Sequence, residues 1–369
     1  MIYLDNAATS LIKPPSVPRA VIRAMMLASS PGRGAYQAAL NAGDIVYGCR
    51  EDAAKLFHAD DPSRVVFTSN ATHALNIAIR SLAVPGSRVL ISGYEHNAVT
   101  RPLAALHAKP TVIGQKLFDP QSLLTELRSH IKDADLVICT HVSNVFGFIL
   151  PIEEIASICR SHKVPLIVDA SQSAGLIDLS MEALQAAFIA MPGHKALFGP
   201  QGTGILLCGR SGEPLLYGGT GSDSMSKEMP DDIPERLEAG TMNVPGIAGL
   251  REGIRYVLAR GAGEIRLGEK RKLHMMIERL NEIPQLKLFT DPNAEQCGIL
   301  SFQVSGTDSE SFCAALGKKG IACRGGLHCA PLAHRSAGTL EQGTVRLSLS
   351  PFTDEKELLQ TCRTIRDFF

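Results

Sequence analysis

Neither sign of charge is in excess in this sequence: lysines and arginines number 37 and aspartates and glutamates 37. That balance removes the net-charge argument for a nucleic acid or an anionic membrane as partner. Long hydrophobic runs are also missing, since no apolar stretch approaches the roughly 18 to 20 residues that span a bilayer. The opening residues MIYLDNAAT lack the basic start and apolar run of a secretory signal, so the expectation is a soluble, cytoplasmic protein. The nine cysteines form no paired framework, as thiols in a reducing compartment do not, and most read as buried apolar filler. There is no internal repeat and no low-complexity tract. Nucleotide binding has no motif to stand on, because neither GPQGTG nor GGTGSD is a P-loop and no GxGxxG opens a helix after a strand. Cys323, His328, Cys329 and His334 have the residue types for a metal site but lack a second CxxC or a spaced histidine pair, so no metal is expected. A small-molecule substrate fits what is left.

What is present is a chain of 369 residues, enough for two units or one large α/β unit with an appendage. From Arg64 to Gly209, short β-branched-rich runs alternate with segments of helical period: RVVFTS, RVLIS, TVIGQ, DLVICTHV, PLIVDAS, AAFIAMP and TGILLCG. Continuous apolar strands spaced by helices predict an α/β fold, a mostly parallel central sheet covered by helices, with its ligand at the carboxyl ends of the strands. Beyond the glycine- and proline-rich stretch 240–249 the texture becomes α+β. A long helical pattern from Leu250 to Asn281 is followed by the strand GILSFQV, a helix from Ser309 and the strand TVRLSLS. The boundary falls near Pro245, giving a large cofactor-binding domain over 14–245 and a small domain over 246–369 that 1–13 joins.

The segment MPGHKALFGPQGTG sets His194 and Lys195 in a loop between two buried strands. A lysine confined there loses the solvation its ammonium form needs, which makes the free amine of a Schiff base accessible. A solvated loop lysine is the alternative. What favours the chemistry is Asp169, ending the strand LIVDAS, where a carboxylate can hold a pyridine nitrogen protonated as pyridoxal phosphate requires; its alternative is a helix cap. TSNATHALNIAI offers a helix start for the phosphate, with the Ala71 amide and Thr72 as candidates and an ordinary cap as the other reading. His194 can add a bond to the phosphate, and His96 can stack on the flat ring. Asn144 and Gln172, at the same rim, can bond its phenolic oxygen, or be turn residues.

Read in order, YLDNAAT, EHNAV, HVSNVFG, VDASQSAG, GHK with GPQGTG, EAGTMN and RGGLHCAP resemble the class V aminotransferase family, in its branch of cysteine desulfurases and selenocysteine lyases, nearest the second group of desulfurases. The resemblance runs from Tyr3 to about Arg346. It implies the type I fold of pyridoxal-phosphate enzymes and the roles just given for Lys195, Asp169, Gln172, Asn144, His96, Thr72 and His194. It adds Thr241, reaching the phosphate of a neighbouring subunit in a homodimer with shared active sites. Cys329 stands where the sulfur-accepting thiol is kept, with His328 and Arg324 as the positive neighbours a thiolate needs. Arg346 resembles the residue that forks onto an amino-acid carboxylate, with Arg324 and Asn144 beside it. The function implied is conversion of L-cysteine to L-alanine with a persulfide on Cys329, for delivery to a sulfur-acceptor protein. Alternatives are a selenocysteine lyase, another class V lyase or aminotransferase, or a non-catalytic scaffold of the same fold. The sequence departs from the family at Pro192, which replaces a hydroxyl donor before GHK, at Asn70, Ala71 and His73, and at Tyr36.

Overall fold

The computed structural model describes residues 1–32, 34–222 and 224–369. The alternating runs form a seven-stranded sheet, in spatial order Val65–Thr68, Gly204–Cys208, Phe188–Pro192, Leu166–Asp169, Leu136–Thr140, Arg88–Ser92 and Lys109–Ile113. All run one way except Gly204–Cys208, which is antiparallel to both its neighbours. Successive residues alternate between two cores. Phe67, Val137, Val168 and Ile189 face one, built with the helices Gln37–Leu56, Pro120–His130, Ile152–Ser161 and Val244–Arg260. Val66, Ile138, Ile167 and Phe188 face the other, under the helices Ala71–Leu82 and Asn97–Ala105. Burial on both faces is why these strands read as unbroken apolar runs, and each such side chain contributes about 1.5 to 3 kcal/mol.

The C-terminal part is a three-stranded antiparallel sheet, Val345–Ser348, Ile299–Val304 and Leu286–Phe289. The helices Ala262–Leu280, Ser309–Lys318 and Glu355–Arg366 pack on it. The N-terminus is stitched into this part: Ile2–Tyr3 pairs in parallel with Ile321–Ala322, and the Ser348 amide donates to the Leu4 carbonyl at 2.8 Å. The helical pattern read as one element from Leu250 to Asn281 is two helices, because Gly261 stands between them at φ 84°, a conformation glycine enters without steric cost. Ile247, Leu250 and Ile254 of the first helix belong to the large sheet's core, while Leu273, Met276 and Leu280 of the second belong to the other. The helix that follows Pro245 thus packs largely on the core of the large sheet.

The first of these helices reaches the candidate site through two glycines. Gly249 lies against Pro200, and Gly253 lies so close to the Leu197–Gly199 turn that a Cβ there would run into the Leu197 carbonyl oxygen. Replacing a mid-helix glycine by alanine ordinarily adds about 1 kcal/mol of helix propensity. At Gly253 overpacking costs about 1 to 3 kcal/mol, and backbone cannot rotate out of the way as a side chain does. Gly253→Ala is therefore expected to lower the urea midpoint of unfolding, whereas Gly263→Ala, in open space, is expected to raise it or leave it unchanged.

Candidate active site

The carboxyl ends of the parallel strands form one rim. Asp169, 2% exposed, is the last residue of its strand, in register with Thr140 and Ala190 of its neighbours. Its Oδ1 accepts from the amide and hydroxyl of Ser171, leaving the other oxygen without a bond among the described residues. On the far side of Thr140 lies Glu95, fully buried, whose carboxylate accepts from the Thr140 amide at 2.7 Å and from the Ser92 hydroxyl. Burial pushes the Glu95 carboxyl up to about 8, so it sits at the rim largely as the neutral acid and clamps two strand ends. It belongs to EHNAV, yet only His96 of that motif drew attention.

Lys195 is half-buried, and its side chain makes no hydrogen bond or ion pair with the described residues. Burial pushes its ammonium down to about 8; Arg346 and Arg324 act in the same direction, and Asp169 and Asp5 oppose them. Its loop is held by backbone bonds, from Phe198 to the Lys195 carbonyl and from Gly199 to the Gly193 carbonyl. The His194 carbonyl accepts from the amide and hydroxyl of Ser10, both at 3.0 Å. The His194 ring meets the Thr9 hydroxyl at 3.1 Å through Nδ1, and burial pushes it down to about 4, keeping it neutral. Thr9 and Ser10, unassigned in the sequence reading, thus set the orientation of the GHK loop.

His96 is the cap of the Asn97–Ala105 helix: its Nδ1 accepts from the Ala98 amide at 3.0 Å. An Nδ1 that accepts an amide hydrogen leaves the ring's own hydrogen on Nε2, and burial lowers its pKa. Gln172 donates to the Ala7 carbonyl at 3.0 Å and Asn144 to the His328 carbonyl at 2.9 Å; each amide keeps a second hydrogen for another acceptor. Asn70 caps the helix that starts at Ala71, accepting from the His73 amide. This helix start and the segment 238–243 line a cleft of about 540 Å³ that holds both Thr72 and Thr241 of the same chain. Lys195, Asp169, His96 and Cys329 are not among the residues lining it.

Arg346 is 1% exposed and central. Its Nη1 donates to the Asn144 carbonyl at 2.8 Å and its Nη2 to Asp5 Oδ1 at 2.7 Å, while the buried Nε has no partner. An orphaned donor on a buried guanidinium is costly unless an anion completes it. Arg324, exposed, bridges to Arg346 through the backbone. Cys329 is exposed, and it and His328 have φ of 56° and 51°, a left-handed pair that is strained for residues with a Cβ. The Asn97 amide holds the Cys329 carbonyl at 2.8 Å. One expectation is corrected here: His328 is 4% exposed and burial pushes it down to about 2, so it is a neutral ring and brings no positive charge to Cys329. Arg324 is the cation left for that task. No cluster of three metal-ligating side chains occurs among the described residues.

A family model described as Aminotransferase class-V matches residues 2–360. A probable cysteine desulfurase of Methanothermobacter thermautotrophicus is 30% identical over 99% of this chain and 94% of its own length. Another, of Pyrococcus abyssi, is 30% identical over 97% of this chain and 92% of its own. The apo structure of a cysteine desulfurase from Thermococcus onnurineus superimposes with a TM-score of 0.90 at 29% identity, covering 100% of this chain and 94% of that one.

The state of Lys195 is measurable without substrate. Only its neutral amine condenses with an aldehyde, so reductive trapping of the apoprotein with a small aldehyde should rise with pH and level off above about 8. Solvated lysines continue to rise toward about 10.4. Counting the Lys195 peptide by mass spectrometry at each pH gives the midpoint, and a value near that of a solvated lysine would show that the pocket does not desolvate it.

Proposed function

The chain belongs to the class-V aminotransferase family, and on that premise we propose that it is a pyridoxal-phosphate-dependent cysteine desulfurase, converting L-cysteine to L-alanine and keeping the sulfur as a persulfide on Cys329. Pyridoxal phosphate is the family's cofactor, and the fold is the type I fold of its enzymes. The residues fit the group: a desolvated lysine without a partner, a buried carboxylate with an oxygen to spare, and a capped helix start. On this reading Lys195 carries the cofactor, Asp169 holds the ring nitrogen, Gln172 and Asn144 take the phenolic oxygen, and His96 covers the ring. The Ala71 amide, Thr72 and His194 take the phosphate, and Thr241 reaches that of the neighbouring subunit. Bound there, the cofactor supplies an electron-withdrawing ring that stabilises negative charge at the substrate's α-carbon.

The rest falls to the chain's own side chains. Arg346, through its free Nε, and Arg324 and Asn144 orient the substrate carboxylate. The Lys195 amine, free above about pH 8, takes the α-proton and returns it. The Cys329 thiolate attacks the substrate sulfur; the new S–S bond forms as the C–S bond breaks, and the three-carbon remainder takes up protons to leave as alanine. The observation that carries the choice of reaction is Cys329, an exposed thiol on a strained loop joined by Asn144 to the rim and by Arg324 to the Arg346 strand. A selenocysteine lyase, or another lyase or aminotransferase of the family, does not require that thiol, and a scaffold would not require Lys195.

We further propose a cytoplasmic homodimer that shares its sites and hands sulfur to an acceptor protein. Supporting the dimer is an exposed apolar row on the Ser16–Leu27 helix, Ile22, Met25, Met26 and Leu27, with Leu40 and Tyr47 on the next helix; such patches mark interaction surfaces. No helix among the described residues is long and apolar enough to cross a membrane.

With a thiol reductant present, the holoenzyme should release alanine and sulfide from L-cysteine in equal amounts. Cys329→Ala should keep the yellow cofactor and lose both products by roughly 100-fold, about 2.7 kcal/mol of barrier. Full activity in Cys329→Ala would move the assignment to a reaction that needs no thiol.

A further inference from the structure

His328 and His334 entered the sequence reading only as rejected metal ligands and neighbours of the thiol. They lie against each other in the interior, 4% and 0% exposed, with nearly parallel rings (12° between their planes) and His328 Nδ1 to His334 Nε2 at 3.5 Å. At one end His328 Nε2 meets the Arg324 carbonyl at 3.1 Å; at the other His334 Nδ1 meets the Thr339 hydroxyl at 2.7 Å. A carbonyl only accepts, so His328 Nε2 carries the hydrogen. In a neutral ring Nδ1 is then bare and must accept from His334 Nε2. His334 Nδ1 is bare in turn and accepts from the Thr339 hydroxyl. With both rings neutral, no other assignment satisfies all three contacts. Burial keeps them neutral, pushing them down to about 2 and about 4, and the cations Arg346 and Arg324 add to the effect on His328.

The chain ends on the carbonyl of Arg324, which also accepts from the Arg346 amide at 2.8 Å. It therefore joins both ends of the segment from Arg324 to Cys329, drawing His328 inward at the residue before the exposed thiol. We propose that Thr339, His334 and His328 form a directional hydrogen-bond chain of positioning residues, which holds the 324–329 loop in the strained conformation that presents Cys329. The proposal rests on the reading of Cys329 as sulfur acceptor. Its consequence is selective: loosening the chain slows sulfur transfer and leaves the cofactor bound, because none of the three residues is among those proposed to hold it.

Thr339→Val removes the terminal donor at nearly constant shape, and Thr339→Ser restores it. Expected in Thr339→Val are a kcat for L-cysteine lower by about tenfold and unchanged yellow absorbance; Thr339→Ser should run near wild type. In histidine-selective ¹⁵N spectra of the wild-type holoenzyme, assigned through His328→Asn and His334→Asn, both rings should remain Nε2–H tautomers to about pH 5.5, a unit below a free histidine. An unchanged kcat in Thr339→Val, loss of cofactor colour along with activity, failure of Thr339→Ser to recover, or either ring titrating near 6.5 would overturn the chain. A wild type inert on cysteine would fail the desulfurase reading alone, and the spectra would still decide the tautomers.

Discussion

Three parts of the molecule meet on one guanidinium. Arg346, on a strand of the smaller sheet, is paired with Asp5 of the N-terminal segment and bonded to the Asn144 carbonyl, which follows a strand of the larger sheet. A cation this buried carries a large desolvation cost, offset only when its partners are fixed. The fold fixes them by running Ile2–Tyr3 alongside Ile321–Ala322 and by bonding Leu4 to Ser348. Removing Asp5 would leave the charge uncompensated, a loss of about 3 to 5 kcal/mol in buried pairs generally. The same ion pair brings Ala7, Thr9 and Ser10 to Gln172 and to the His194–Lys195 loop. The architecture of the site thus depends on an interaction between residues 5 and 346.

That arrangement also sets the charge balance around Lys195. Two guanidiniums favour the free amine while Asp169 and Asp5 favour the ammonium, and burial decides between them. An amine with a pKa near 8 serves both halves of its proposed work, since it condenses readily at neutral pH and carries a proton without holding it tightly. Glu95, neutral behind Thr140, supports a rim strand without adding a second full negative charge beside Asp169.

Much of this was legible in the residues. The strands announced themselves because burial on both faces leaves unbroken apolar runs, and Lys195 and Asp169 stood out because polar residues at the ends of such runs have no core to join. What was hidden was whatever depends on distant chain or on depth. Gly261 sits between two segments whose periodicities join smoothly, so only its positive φ reveals the break. Thr9 and Asp5 act across 185 and 341 residues of sequence, a separation that leaves no local pattern. His328 was taken as a cation because it adjoins the thiol in sequence; in space it is sealed from water, and desolvation outweighs every other influence on its ring.

The neutrality of His328 changes how the proposed sulfur acceptor is understood. Arg324, the remaining cation, is exposed, where solvent and salt weaken its pull on a thiolate. Electrostatic activation at rest is then modest, and geometry must do more: two consecutive left-handed residues place His328 inside and Cys329 outside within one peptide unit. A thiol that takes sulfur from a substrate at the rim and passes it to an acceptor in solution has to stand at the boundary between them. Strain of about 1 to 3 kcal/mol per left-handed residue persists only where surrounding bonds over-determine the conformation. Asn97, Asn144 and the histidine chain supply those bonds from three sides, which ties the exposure of Cys329 to groups that never meet solvent.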